Sequence, residues 1–153
     1  MKIFIFLLLI ITATLLIIQL KKLLLPYHVY SITIHKSYNQ VWEQLSDPLN
    51  YKKLYPYWIK EISLKQDNQY EVNDQFGHTY NMILIKDINH GLIKLQIGNE
   101  LSITQIVPLD EHNTLVTHIA KKWQGINTIN WILHKRTVAN DFNNAKKVIE
   151  KNL

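Results

Sequence analysis

Cysteine is absent from the 153 residues, which excludes disulfides, thiolate metal centres and thiol nucleophiles and leaves the redox compartment open. Four glycines and four prolines are too few for a collagen-like or low-complexity chain. Acidic residues are missing from the first 26 positions, which hold Lys2, Lys21 and Lys22. Taking those three from the 17 basic residues leaves 14 against 12 acidic ones. The net charge of +5 therefore belongs mainly to the N-terminus, and the rest carries no nucleic-acid footprint. The sequence holds no Gly-x-Ser-x-Gly elbow, no glycine-rich phosphate loop and no evident carboxylate pair. Asp47, Glu61, Asp87 and Glu100 fall at element ends or turns, where carboxylates are usually solvated. The histidines at 28, 35, 78, 90, 112, 118 and 134 form no His-x-x-x-His pair, so neither a metal nor a cofactor is expected.

What is present begins with an apolar run. Ile3 to Leu20 is uncharged and interrupted only by Thr12, Thr14 and Gln19. As a helix, 18 residues rise about 27 Å, near the hydrocarbon thickness of a bilayer. Lys21 to Leu25 offers no small residues of the kind signal cleavage needs. Residues 1–26 are thus expected to be an N-terminal transmembrane anchor with a short linker, giving single-pass membrane localisation. Lys2 balances Lys21 and Lys22 across the span, so the side of the domain stays open.

Residues 27–153 read as one domain. Tyr30, Ile32 and Ile34 alternate with Ser31, Thr33 and His35, the period of a half-buried strand. Ser37 and Gln40 match a capping box ahead of Val41, Trp42 and Leu45, and Asp47-Pro48 stops and restarts the chain, predicting short helices over 38–46 and 48–54. Six strands are expected near 58–65, 69–75, 78–87, 92–98, 101–108 and 114–123, separated by turn-forming residues such as Asp67-Asn68, Gly77 and Gly98-Asn99. After Gly125, Trp131, Val138, Phe142, Ala145 and Ile149 recur at helical spacing for about 25 residues, with Asn127 or Thr128 as N-cap.

This order and several local stretches resemble the START, polyketide cyclase and birch-pollen-allergen (SRPBCC) superfamily. Ile34 to Pro48, with Val41-Trp42 and Ser46-Asp47-Pro48, is similar to the family's opening strand and helix. Asn50 to Trp58 is similar to a Tyr-then-Pro-aromatic stretch of its coenzyme Q-binding START branch. Asn113-Thr114-Leu115-Val116-Thr117 sits where many members carry Gly-Thr-x-Val-Thr, with Asn in place of Gly. The resemblance spans about 30–153 and implies an α+β helix-grip fold. In that fold a seven-stranded curved antiparallel sheet wraps a long C-terminal helix, with two short helices after the first strand. It further implies an apolar cavity between sheet and helix for lipids, sterols, quinones or polyketides.

Alternation gives the cavity-wall candidates Tyr80, Met82 and Leu84, Ile93, Leu95 and Ile97, and Leu101 and Ile103. Trp58 at the implied mouth and Trp131 and Phe142 on the long helix join them, and His118, on the face of Val116 and Ala120, is the candidate polar contact. Tyr51, Lys52, Lys53, Tyr55 and Tyr57 combine amphipathic rings with ammonium groups and are candidates for membrane contact. The expected partners are a hydrophobic small molecule or lipid and a membrane held by the N-terminal helix, with no nucleic acid. The first reading is tethered binding of a lipid or isoprenoid quinone. The alternatives are a cyclase, dehydrase or hydrolase-type enzyme using His118 or Tyr80, and an anchored interaction domain with a solid core.

Overall fold

The computed structural model describes the backbone of residues 2–151 and the side chains of 7, 10–21 and 24–151. Helix α1 (Lys2–Leu24) precedes strand β1 (Tyr27–Ile34). Helix α2 (Tyr38–Ser46), a 3-10 turn at Pro48–Asn50 and the single-turn helix α3 (Tyr51–Leu54) follow. Strands β2 (Ile59–Gln66), β3 (Gln69–Asp74), β4 (Thr79–Asp87), β5 (Leu92–Ile97), β6 (Glu100–Pro108) and β7 (Thr114–Lys121) lead to helix α4 (Thr128–Lys151). All seven strands form one sheet in the order β1-β7-β6-β5-β4-β3-β2. Each neighbouring pair is antiparallel. Five of the six pairings are local hairpins that short turns specify. Only β1 with β7 joins distant parts of the chain, in an unbroken register from Tyr27 opposite Lys121 to Ile34 opposite Thr114.

Local chemistry accounts for the element ends. The Gln40 side-chain oxygen accepts from the Ser37 backbone N–H at 3.2 Å and from its hydroxyl at 3.1 Å, which fixes the start of α2. Asp47 Oδ1 accepts from the Leu49 N–H at 3.0 Å, so the break before Pro48 is itself a cap. Asn127 Oδ1 accepts from the Asn130 N–H at 2.8 Å at the start of α4. The core gathers Val41 and Leu45 of α2, Leu54 of α3, Ile59, Val72, Met82 and Leu84 of the sheet, and Ala145 and Ile149 of α4.

Side chains of α4 fasten the helix to backbone along its length. The Trp131 indole N–H donates to the Leu25 carbonyl at 2.8 Å, and Lys135 Nζ reaches the same oxygen at 3.2 Å. Asp141 Oδ1 accepts from the Tyr57 N–H at 2.8 Å. The Asn144 amide donates to Lys53 and Leu54 carbonyls at 2.9 and 3.1 Å. Glu150 Oε1 accepts from the His35 N–H at 2.8 Å. These bonds seat α4 against β1 and the helical segment of α2 and α3, and they tie down the junction after α1, where the Lys122 N–H also donates to the Pro26 carbonyl at 2.7 Å.

The expected transmembrane anchor is corrected here. Among the described residues no helix is long and apolar enough to cross a membrane. Helix α1 has 23 residues. The side chains described on it, however, give an uncharged run only from Ile10 to Leu20, before Lys21. That run rises roughly 16 Å, about half of a hydrocarbon core. The side chains of Ile3 to Phe6 and of Leu8 and Leu9, on which the expectation also drew, lie outside the described residues. Single-pass membrane localisation falls with the anchor.

Gly91 is where backbone geometry constrains sequence most tightly. Its φ of +63° lies in the left-handed region, its carbonyl accepts from the Ile106 N–H at 2.8 Å, and a Cβ there would stand 2.3 Å from the Ile106 carbonyl oxygen. Gly91→Ala is expected to destabilise the domain by about 2 kcal/mol or more through strain and displacement of β6. Chemical denaturation checks this, and an unchanged midpoint would refute it.

Candidate functional site

Each strand turns alternate side chains toward α4, and this inner face builds the site. β5 contributes Ile93, Leu95 and Ile97, β4 contributes Tyr80, β6 contributes Ser102 and Thr104, and β7 contributes His118. Because α4 rests on β1, α2 and α3, its inner side stands off the middle strands. The gap is a cavity of about 660 Å³, within the range of small-molecule sites. Leu133, Val138 and Phe142 of α4 face it from above, and Tyr51, Tyr55 and Trp58 close one side. At the rim stand Phe76, 69% exposed, and Leu133, 51% exposed.

Of the cavity residues singled out from the sequence, Trp58, Tyr80, Ile93, Leu95, Ile97, His118 and Phe142 line this cavity. Met82 and Leu84 share their strand face with Tyr80 but are wholly buried in the core beneath it. Trp131 is also fully buried; its indole holds the α1–β1 junction and does not line the cavity. Ile103 is corrected. The register places it opposite Ile119 and Lys94 on the outer face, where Leu101 is 47% exposed, while Ser102, Thr104 and Ile106 point inward. Hydrophobicity marked the wrong face of β6, because a one-residue offset exchanges the two faces of a strand.

The group suggested for membrane contact divides. Tyr51 and Tyr55 are buried, with ring centroids 4.9 Å apart, and the Tyr51 hydroxyl donates to the Leu45 carbonyl at 2.8 Å. Both line the cavity, so neither ring is available to a bilayer surface. Lys52, Lys53 and Tyr57 remain exposed.

Polar groups break the apolar lining at chosen points. His118 is buried; its Nδ1 lies 3.1 Å from Thr104 Oγ1, directly across the β6–β7 ladder, and its ring meets Phe142 at 5.0 Å. Burial, and then the neighbouring imidazoles of His134 and His28, bring its pKa down to about 3. Burial, and then His28, bring His134 down to about 4. The carboxyls move the other way, since desolvation disfavours their charged forms. Glu100 is pushed up to about 7 by burial, and Asp141 also to about 7 even though it accepts backbone N–H bonds from Tyr57 and Trp58. The Trp58 indole N–H donates to the Tyr80 hydroxyl, and the two rings stack with planes 12° apart. Near neutral pH the two imidazoles are uncharged and the Glu100 and Asp141 carboxyls are partly protonated, so burial lowers the charge that these four groups bring to the cavity. Such a lining suits a largely apolar molecule with one or two oxygen functions.

Glu100, His134 and Asp141 were not singled out from the sequence, and the expectation of a solvated Glu100 is corrected by its burial. His134 and Asp141 had a signal: they follow Trp131 and Val138 by three residues each and so fall on the same helical stripe. Glu100 had none, since it follows a Gly98-Asn99 turn. Among the described residues no group of three or more His, Cys, Asp or Glu side chains could hold a metal ion.

No protein-family model matches the chain, and no curated protein matches it. Solved structures do. Norcoclaurine synthase from Thalictrum flavum, in complex with dopamine and hydroxybenzaldehyde, superposes with a TM-score of 0.65 at 14% identity, covering 83% of this chain and 87% of that one. The Zhui aromatase/cyclase from Streptomyces sp. R1128 gives 0.63 at 18%, covering 82% and 93%. A START superfamily protein from Mycobacterium smegmatis gives 0.62 at 15%, covering 81% and 94%. The chain has the helix-grip fold of the SRPBCC superfamily; at these identities the likeness is one of fold.

The raised pKa of Asp141 has a stability consequence. With a folded value of about 7 against 3.8 when free, the folded state keeps a proton that the unfolded state has lost between those limits, so this group destabilises the fold as pH rises through that window. Asp141→Asn removes the titration while leaving an acceptor for Tyr57. Its melting temperature relative to the unsubstituted chain is expected to climb from pH 4 to pH 8 in scanning calorimetry. A difference independent of pH would refute a buried neutral carboxyl.

Proposed function

We propose that this chain binds a hydrophobic small molecule, a lipid or an isoprenoid quinone, in the cavity between the sheet and α4. The observation that carries this reading is the cavity itself: about 660 Å³, walled by Ile93, Leu95, Val138 and Phe142, with polar groups only at particular points. Apolar burial contributes about 0.8 kcal/mol per methylene, so hydrocarbon supplies the affinity. His118, Thr104 and Tyr80 supply directional contacts to oxygen atoms. The fold shared with a START superfamily protein and an aromatase/cyclase supports hydrophobic ligand binding at the level of the superfamily. A cavity this large leaves the solid-core interaction domain without support.

One observation favours catalysis as the second reading. Glu100, pushed up to about 7, has the pKa a general acid or base needs near neutrality, and it lines the cavity. A cyclase, dehydrase or hydrolase-type reaction is tested by turnover of an added substrate that is lost in Glu100→Gln while binding persists.

Mass spectrometry of organic extracts of the purified full chain, against a mock purification, identifies a bound molecule. Leu95→Trp fills the cavity from its inner wall and is expected to reduce ligand occupancy at least tenfold. Ile103→Trp, on the outer face, is expected to leave it unchanged. Equal occupancy in the two variants would overturn the cavity assignment.

A further inference from the structure

Two side chains from opposite walls meet in this cavity without satisfying one another. Glu100 opens β6 directly after the Gly98–Asn99 turn, paired with Ile97 of β5. His134 lies on the inner side of α4, one turn beyond Trp131. Its imidazole is fixed by aromatic neighbours: it stacks on Trp131 with centroids 5.3 Å apart and planes 12° apart, and meets the Trp123 ring edge-on at 5.2 Å. Both residues line the cavity. His134 Nε2 is shielded from solvent and has no hydrogen-bond partner among the described residues. The nearest carboxylate oxygen, Glu100 Oε1, stands 3.9 Å away, beyond hydrogen-bond reach.

A buried, unpaired ring nitrogen is costly unless a partner arrives, and the geometry indicates which partner fits. One oxygen atom placed about 2.8 Å from each of the two groups completes a triangle whose angle at that oxygen is about 90°, within the range hydrogen bonding accepts. The neutral imidazole Nε2 donates or accepts according to its tautomer, and the Glu100 carboxyl donates when protonated and accepts when ionised. A hydroxyl can donate to the carboxylate while accepting from the imidazole N–H, or accept from the protonated carboxyl while donating to the imidazole, so it pairs with both groups on either side of the Glu100 titration. A carbonyl accepts from both only when the carboxyl is protonated, and an ammonium donates to both only when it is ionised. A phosphate or carboxylate would set its charge against Glu100 whenever that carboxyl is ionised.

We propose that Glu100 and His134 form a subsite for a hydroxyl group of the bound ligand, each making one hydrogen bond to the same oxygen. The proposal rests on the binding function of the cavity and specifies the ligand: an apolar body carrying a free hydroxyl, oriented toward the start of β6 and the first half of α4. The apolar body then extends toward Leu95 and Phe142.

The test uses the full chain and two probes of nearly the same shape, 2-naphthol and 2-methylnaphthalene, with dissociation constants from calorimetric titration. His134→Phe keeps a ring between Trp123 and Trp131 while removing the nitrogen, and Glu100→Leu removes the carboxyl. Each is expected to weaken 2-naphthol binding about tenfold relative to 2-methylnaphthalene, and Glu100→Gln, which keeps a donor and an acceptor, to restore most of that preference. If Glu100→Leu does not fold, the ratio in His134→Phe decides alone. Binding of both probes with a ratio unchanged by His134→Phe overturns the hydroxyl subsite and leaves the cavity function standing. Failure of the unsubstituted chain to bind either probe overturns both.

Discussion

The long helix is held by its ends and edge, and everything functional in the molecule depends on how. Hydrogen bonds from Trp131, Asp141, Asn144 and Glu150 run to backbone at Leu25, Tyr57, Lys53 and Leu54, and His35. These partners belong to the segments that flank the sheet, not to its middle strands. A helix pressed onto the sheet by apolar contact alone would close on β4, β5 and β6 until the interior was filled, since proteins pack to crystal-like density. Fixing α4 to backbone at β1 and α3 sets its height and keeps the volume above β5 open.

The same open volume governs the electrostatics. Desolvation is the first cause of the shift at His118, His134, Glu100 and Asp141, and it moves bases down and acids up, toward neutral forms in both cases. Four ionisable residues thereby line a pocket with less charge than they would carry in water. Charged groups would demand water or counter-charges and would exclude an apolar ligand. Neutral ones act as ordinary donors and acceptors whose positions are fixed by the β6–β7 register and by ring stacking on α4. The cavity is thus selective through a few placed atoms and permissive elsewhere.

Aromatic residues do two separate jobs. Tyr51 and Tyr55 fill the wall between α3 and α4, where Tyr55 meets Phe142 at 5.4 Å, and they secure the cavity's side. Trp131 and Trp123 clamp His134 and, through the Leu25 carbonyl, couple the start of α4 to the junction after α1. A ring with one polar handle can pack and anchor at once.

Periodicity and turn chemistry are local properties, so the strand, two short helices, six strands and long helix were legible in the sequence nearly to their ends. The inward face of α4 was legible in the same way, as a stripe that includes His134 and Asp141. The faces of β6 were not. Leu101 and Ile103 look like core and point outward, because facing is decided by pairing across the ladder, and Thr104 opposite His118 sets it. Nor could a turn-adjacent Glu100 be read as largely shielded, since the group it faces, His134, stands 34 positions later in the chain. The apolar N-terminal run suggested a span by composition, yet the described side chains hold no stretch long enough to cross a bilayer. The amino-acid order by itself determined which elements form and in what succession, because hydrogen bonding and side-chain period act over a few residues. Only the tertiary structure decided which polar groups share the cavity and at what protonation, because desolvation and distance depend on the whole surrounding fold.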